Sequence, residues 1–403
     1  MLRLTAALCA TVLAASARDY RLTLAPATAD RAGQVIAFQL PADAPRPAQL
    51  RDAAGRAVAL QTDADRTARF VVPWQKAGES LAFTLSAANP KAPLDPPAVV
   101  AAPDGGHLRV SVGGAPALVF RLKRDDLPRE GITPHIVRAG YVHPVFSPSG
   151  KIVTDDYPSN HPHHHGIWAP WTKVSFQGRA TDFWNMQDKK GAEDLVALDR
   201  SWSGPVHGGF TARLQSTDLT APTPVKALDT TWLLTAYDLP GAAPAARMFE
   251  LTVTHACATA KPVVLPEYHY GGFGLRGAAG WNGPGPAARF LTSEGETDRI
   301  KGNNTRVRWC YLGGAAGDSG GLAGTAVLGH PGNFRAPQPV RLHPNMPYFS
   351  LVPQQLGAMR IEPGQPYVTR YRFVVTDGAP DRARLDAYWQ GYAHPAAAKI
   401  EAR

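Results

Sequence analysis

"MFELTVTH", residues 248–255, decides the fold class. In an extended chain successive side chains point to opposite faces. Phe249, Leu251, Val253 and His255 then share one face, and Glu250, Thr252 and Thr254 the other. "YVTRYRFVV" (367–375) repeats the pattern, with Tyr367, Thr369, Tyr371, Phe373 and Val375 alternating with Arg370 and Arg372. A period of two over stretches of this length predicts half-buried strands rather than helices. Further out, "HLRVSV" and "ALVFRL" flank "GGAP" (113–116) and read as a hairpin. The 38 glycines and 37 prolines suit short strands joined by many turns. One helix is expected, over 380–393, where Leu385, Tyr388, Trp389 and Tyr392 fall at i, i+3, i+4 and i+7 with Pro380 in the first turn.

The chain divides by composition. Residues 18–95 contain five short alternating runs, among them "GQVIAFQLP" and "TARFVVPW", and predict a small immunoglobulin-like β-sandwich. "ANPKAPLDPPAVVAAPDGG" (88–106) reads as a linker. A larger all-β domain is expected over 98–403. Residues 1–17 read as a signal peptide, with Arg3, the apolar run "LTAALCATVLAA" and the small residues Ala15 and Ala17 around Ser16. The apolar run is too short to span a bilayer, and no later stretch approaches the required length. These features predict a mature chain from Arg18, periplasmic or secreted, without membrane insertion. Cys257 and Cys310 would remain, and one disulfide between them is open in an oxidising compartment. The net charge of +9 comes from scattered arginines without a basic run, which argues against a nucleic-acid partner.

Six of the 13 histidines lie in "HIVRAGYVHPVFSPSGKIVTDDYPSNHPHHHGIW" (135–168). Four prolines there predict a long stiffened loop region without a central strand. Three readings of His161, His163, His164 and His165 stand side by side. Imidazole titrates near neutrality, so His163 and His164 can exchange protons with a substrate. His163 and His165 fall on one side of an extended segment and could share a divalent metal, with a third ligand from elsewhere. In the third reading the histidines only hydrogen-bond a buried loop. Trp168, Trp171, Phe183, Trp184 and Asn185 add flat apolar faces beside a polar group, a combination that stacks on sugar rings. A second constellation, "LPEYHYGGFGLRG" (265–277), offers Glu267 and His269 as a base and its orienting partner, with Arg276 nearby. A third, "GHPGNFRAPQPVRLHP" (329–344), offers Arg335 as a fork for carboxylate or ring oxygens. His143, His161, Trp168, Trp184, Asn185, Arg276 and Arg335 would bind substrate. His163, His164, Glu267 and His269 would carry catalysis. The first two constellations are expected to meet in one pocket.

The blocks "YVHPVFSPSGKIVTDDYPSNHPHHHGIW", "DFWN", "YGGFGLR", "SEG", "RWCYLGG" and "HPGNFRAPQPVR" resemble, in order, the bacterial PmoA-like family over roughly residues 100 to 380. That resemblance implies a large β-supersandwich similar to the galactose-mutarotase-like fold. It also implies a carbohydrate ligand handled by His and Glu near the sugar's ring oxygen and anomeric hydroxyl. The expected activity is that of an epimerase, a lyase on a keto-sugar, or a hydrolase. A metal-dependent enzyme and a non-catalytic glycan-binding protein are the alternatives.

Overall fold

The computed structural model describes residues 18–89, 96–124, 129–283, 287–317 and 321–403. The expected signal peptide at 1–17, and residues 90–95 of the expected linker, lie outside the described residues. The architecture is all-β, a small sandwich beside a large one. Among the described residues there is one α-helix, Arg382–Ala393.

In the small sandwich, strands Arg31–Gln39, Thr67–Gln75 and Gln61–Thr62 form one sheet. Tyr20–Leu24, Leu81–Ala87, Ala48–Asp52 and Ala57–Val58 belong to the other. Leu22, Ile36, Leu50, Phe70 and Leu85 fill the space between the sheets. The second sheet has a fifth member. Strand Ala398–Ala402 pairs antiparallel with Tyr20–Leu24, placing Leu22 opposite Ile400. The division at 98–403 assigned this strand to the larger unit. Alternation over five residues cannot say which sheet a strand joins.

Two broad sheets make the large sandwich. The eight-stranded one has, at its centre, Val225–Tyr237, Ala246–Cys257, Tyr367–Asp377 and Leu322–Gly329. The opening stretch lies in it as expected, with Phe249, Leu251, Val253 and His255 buried. The nine-stranded sheet includes, in order, Tyr348–Leu351, Gly274–Arg276, Ile167–Trp168, Val142–Val145, Ala115–Phe120 and His107–Val112. Phe120 stacks on Phe210 across the core at 4.3 Å, and Phe273 meets Tyr371 at 4.6 Å. The histidine segment therefore does contribute a central strand. Val142–Val145 is short and its pairing with Ala115–Phe120 shifts register, which accommodates Pro144.

The helix closes the seam between the sandwiches. Asp381 caps it by accepting from the Arg384 N–H, so Pro380 stands just before the cap rather than in the first turn. Tyr388, Leu385 and Tyr392 are buried with Ala32 and Met248, while Trp389 is only half-buried. A side chain at Gly391 would strike the Ala32 carbonyl at 2.2 Å, so the helix rides directly on strand Arg31–Gln39. The same cover explains Arg372, which alternation put on a solvent face. It is 2 % exposed and donates to Glu250 at 3.0 Å and to the Gly33 carbonyl at 2.8 Å.

Cys257 and Cys310 are both free thiols. Cys257 donates to the Ile361 carbonyl, and Cys310 is buried in the main core. The disulfide left open by the sequence does not form. No helix among the described residues is long and apolar enough to cross a membrane.

Candidate functional site

Three adjacent strands of the nine-stranded sheet assemble the floor of the site by simple alternation. Ile167, Leu275 and Phe349 lie in register and point into the core. Their neighbours Trp168, Arg276 and Tyr348 therefore share the opposite face. Gly274 sits opposite Trp168, and a Cβ there would meet Trp184 at 2.7 Å and Trp168 at 2.9 Å. Its bare backbone lets the two indoles close to 4.7 Å.

His164 lies over this floor, fully buried. Its ring centroid is 5.1 Å from Trp168, 4.8 Å from Tyr348, 4.8 Å from His163 and 5.0 Å from His161. His343, from the third constellation, meets His161 at 5.9 Å. His161, His163, His343, Asn185 and Tyr270 are half-buried and form the rim. Asp182 organises one side of it. Its carboxylate accepts from the Trp184 and Asn185 amides and from the Thr172 hydroxyl. Asn185 is thereby held with its side-chain amide 3.0 Å from the Tyr270 hydroxyl. Arg276 underlies the other side, donating to Asn160 at 3.1 Å and to the Met346 sulfur at 3.1 Å.

Electrostatics make the cluster neutral. Burial pushes His163 down to about 3 and His343 to about 4, and mutual repulsion and Arg276 push the same way. His164 is held well below the ordinary imidazole value, and His161 is lowered, both chiefly by burial. Burial also lowers the Arg276 guanidinium to about 10. At pH 7 each of these rings is thus an uncharged group with one donor and one acceptor nitrogen. Several polar atoms are buried without a partner: Nδ1 of His161 and His164, Nε1 of Trp168 and Trp184, and Nε of Arg276. Unpaired buried groups of this kind cost roughly 1–3 kcal/mol each.

Some expected residues lie elsewhere. Glu267 and His269 are exposed, so the second constellation reaches the site through Arg276 and through Tyr270, which meets Trp184 at 5.5 Å. The expected His/Glu pair is not assembled. Trp168 and Trp184 are 0 % and 1 % exposed, so they support the site and present no face for a sugar to stack on. Trp171 and Phe183 belong to a separate apolar cluster with Val263 and Leu265. Arg335 is spent on tying its loop to the 353–358 turn, donating to the carbonyls of Pro353, Gly357 and Ala358. His143 is bonded to the Thr154 hydroxyl at 3.0 Å. His165 turns from His163 toward Asp156, with Nδ1 2.7 Å from the carboxylate, and stacks on Tyr141 at 4.2 Å. It is thus committed to another partner than a metal shared with His163. Among the described residues no three His, Cys, Asp or Glu side chains are grouped to hold an ion.

Asp156, Asp182, Tyr141 and Tyr348 were missed. Asp156 had a signal, the acid pair of "TDDY" just ahead of the histidines. Asp182 sits two residues before Trp184, where a short acid commonly caps a turn.

Fold and site together define an all-β protein with a neutral, imidazole-rimmed polar site on one sheet face. The chain belongs to DUF6807, a family of unknown function whose model matches residues 107–390. That match corrects the resemblance drawn from the histidine blocks, since the matching family is not a PmoA family. No curated protein matches the chain. Among solved structures, an alpha-mannosidase from Enterococcus faecalis V583 aligns with 9 % identity and a TM-score of 0.36, over 96 % of this chain and 46 % of that one. A glycosyl hydrolase family 38 protein from Enterococcus faecalis aligns with 11 % identity and a TM-score of 0.35, over 97 % and 48 %. The chain spans about half the length of these two structures.

Proposed function

We propose that this is an exported carbohydrate-active protein whose rim residues His161, His163, His343, Asn185 and Tyr270 receive a neutral saccharide. The observation that carries the reading is the set of uncharged imidazoles above buried polar atoms that have no partner. A hydroxyl both donates and accepts, so a polyol satisfies neutral imidazole, amide and phenol groups without the cost of desolvating a charge. An anionic ligand would be expected to meet cationic histidines instead. Proton transfer in the same site is a second reading, favoured by the buried Asp156–His165 pair, which fixes one ring by the logic of an orienting carboxylate. In that case His161 and His163, half-exposed at the rim, would touch the substrate.

Calorimetric titration with a panel of neutral mono- and oligosaccharides tests the proposal. Binding by at least one sugar, weakened tenfold or more by His161→Ala and by Asn185→Ala, is the expected result. Absence of binding across the panel, or affinity indifferent to both variants, overturns it. Turnover of the bound sugar, lost in His163→Ala, separates the catalytic reading from simple binding.

A further inference from the structure

A polar cleft lies between the sandwiches, remote in sequence from the histidine segment and unused by the function proposed above. Its volume is about 660 Å³, within the ~300–1,000 Å³ of small-molecule sites. The floor is the outer face of the eight-stranded sheet. Cross-strand register there runs Trp202 to Gly209 to Thr235 to Glu250. Gly209 brings no side chain, so the floor stays open between the indole and Thr235. One wall is the turn of the small sandwich that carries Asp63 and Asp65, with Arg69 on the strand that follows. Gln61 fastens that wall to the floor by accepting from the backbone N–H of Val206 at 3.1 Å and of His207 at 3.0 Å.

His207 supplies the chemical clue. It is 6 % exposed and lines the cleft. The Trp202 indole lies 3.0 Å from its Nδ1. An indole N–H can only donate, so Nδ1 must be the acceptor. The hydrogen of the neutral ring is then on Nε2. Burial lowers the pKa of this imidazole, which keeps it neutral. Nε2 is buried without a hydrogen-bond partner, and Asp63 Oδ1 lies 4.0 Å away, beyond hydrogen-bond reach. One oxygen placed ~2.8 Å from both would accept from the imidazole and donate to the carboxylate. A hydroxyl meets that requirement; a carboxylate or phosphate oxygen, having no hydrogen to give Asp63, does not.

The charges agree. Asp63 is paired with Arg69, and Glu250 with Arg372. Asp65 feels the charge of the same Arg69, and the Arg200 guanidinium lies 5.0 Å over the Trp202 ring. With Arg372 counted from behind Glu250, the three carboxylates of the lining, Asp63, Asp65 and Glu250, meet three guanidiniums, so the cleft carries no strong field of either sign to select an ion. We infer that this cleft is a second binding site, for a neutral saccharide, with one sugar hydroxyl bridging His207 Nε2 and Asp63 and the ring lying along Trp202.

The inference can fail independently of the histidine site. Full mature protein carrying His161→Ala is titrated with maltotetraose, cellotetraose, xylotetraose and mannotetraose, read by calorimetry and tryptophan fluorescence. One-to-one binding of at least one tetrasaccharide is expected. It should weaken tenfold or more when Thr235→Arg fills the floor, and likewise with His207→Gln. Thr235 is half-exposed, so that variant stays informative if His207→Gln fails to fold. Binding that survives both variants overturns the cleft, as does binding by none of the four. Saccharide binding lost to His161→Ala alone sinks the cleft and leaves the histidine site standing. Binding lost to Thr235→Arg alone does the reverse.

Discussion

Replacing Asp156 by asparagine tests how the buried layer beneath the histidines is held. Its carboxylate accepts from the Tyr141 hydroxyl at 2.8 Å and from His165 Nδ1 at 2.7 Å, with a side chain only 13 % exposed. Burial opposes its charge, but the hydrogen bonds from His165 and Tyr141, with the nearby imidazoles, outweigh burial and hold the group below its ordinary value. Each bond to the ionised group is worth ~1.5–3 kcal/mol, against ~0.5–1.5 for a neutral one. The substituted amide keeps an acceptor for Tyr141, so that bond drops by roughly 1–1.5 kcal/mol. Its NH₂ group must then donate to His165, which forces the other tautomer and costs about as much again. The expected loss of unfolding free energy at pH 7 is ~2–3 kcal/mol. The sign follows from the lowered pKa. The carboxylate's contribution is present above its unfolded pKa of about 3.8 and disappears as pH falls through the folded value. The gap between wild type and Asp156→Asn should therefore narrow at the acid end. Urea titrations of wild type, Asp156→Asn, Tyr141→Phe and the double variant measure this. Tyr141→Phe should cost ~1 kcal/mol less in the Asp156→Asn background, as neighbours sharing a bond are not additive. A loss under ~0.5 kcal/mol for Asp156→Asn, or additivity within ~0.5, would refute the reasoning.

Other outcomes follow from the same geometry. Burial holds His143 near 4, His163 near 3, His255 near 3 and His343 near 4, against 6.5 in the unfolded chain. The unfolded state takes up protons first, so the thermal midpoint should fall steadily from about pH 6.5 toward pH 4; a flat profile contradicts this. Gly274→Ala drives a methyl into Trp168 and Trp184 and should cost ~1–3 kcal/mol while altering tryptophan emission. Arg335→Lys keeps the residue's positive φ of 60° but loses its fork onto three carbonyls. It should lower stability by ~1–2 kcal/mol and leave saccharide affinity within twofold, as measured by denaturation and calorimetry. Of the two thiols described, Cys257 should react with a thiol reagent in the native protein, and Cys310 only on unfolding.

The strands were legible because their burial is one-sided: Phe249, Leu251 and Val253 alternate with polar residues, and the core accepts just that face. Arg372 broke the rule because its cover comes from a strand more than 300 positions earlier, which no local period encodes. The site was half legible. A run of imidazoles announces something, and His161, His163, His164, Asn185 and Arg276 do come together. Glu267 did not follow, since a carboxylate two residues from a histidine says nothing about which way a loop turns. The acid pair of "TDDY" marked Asp156, but its role shows only through its partner His165, which the sequence offered as a metal ligand. The aromatic residues misled differently. Trp184 has the composition of a sugar platform, yet Gly274 lets it sink to the floor, and a glycine's permission is silent in a sequence until its neighbours are known.

The pairing of Tyr20–Leu24 with Ala398–Ala402 has a consequence for biosynthesis. Leu22 leaves the ribosome long before Ile400, its partner in the sheet. At ~5–20 residues per second the first strand waits ~20–75 s for the last. Through that interval one of its edges presents unpaired N–H and C=O groups, the arrangement most prone to recruiting a strand from another molecule. A nascent chain of this protein therefore carries an incomplete sheet until residues 398–402 arrive, and a holdase that shields one early edge would serve it better than one that grips the core.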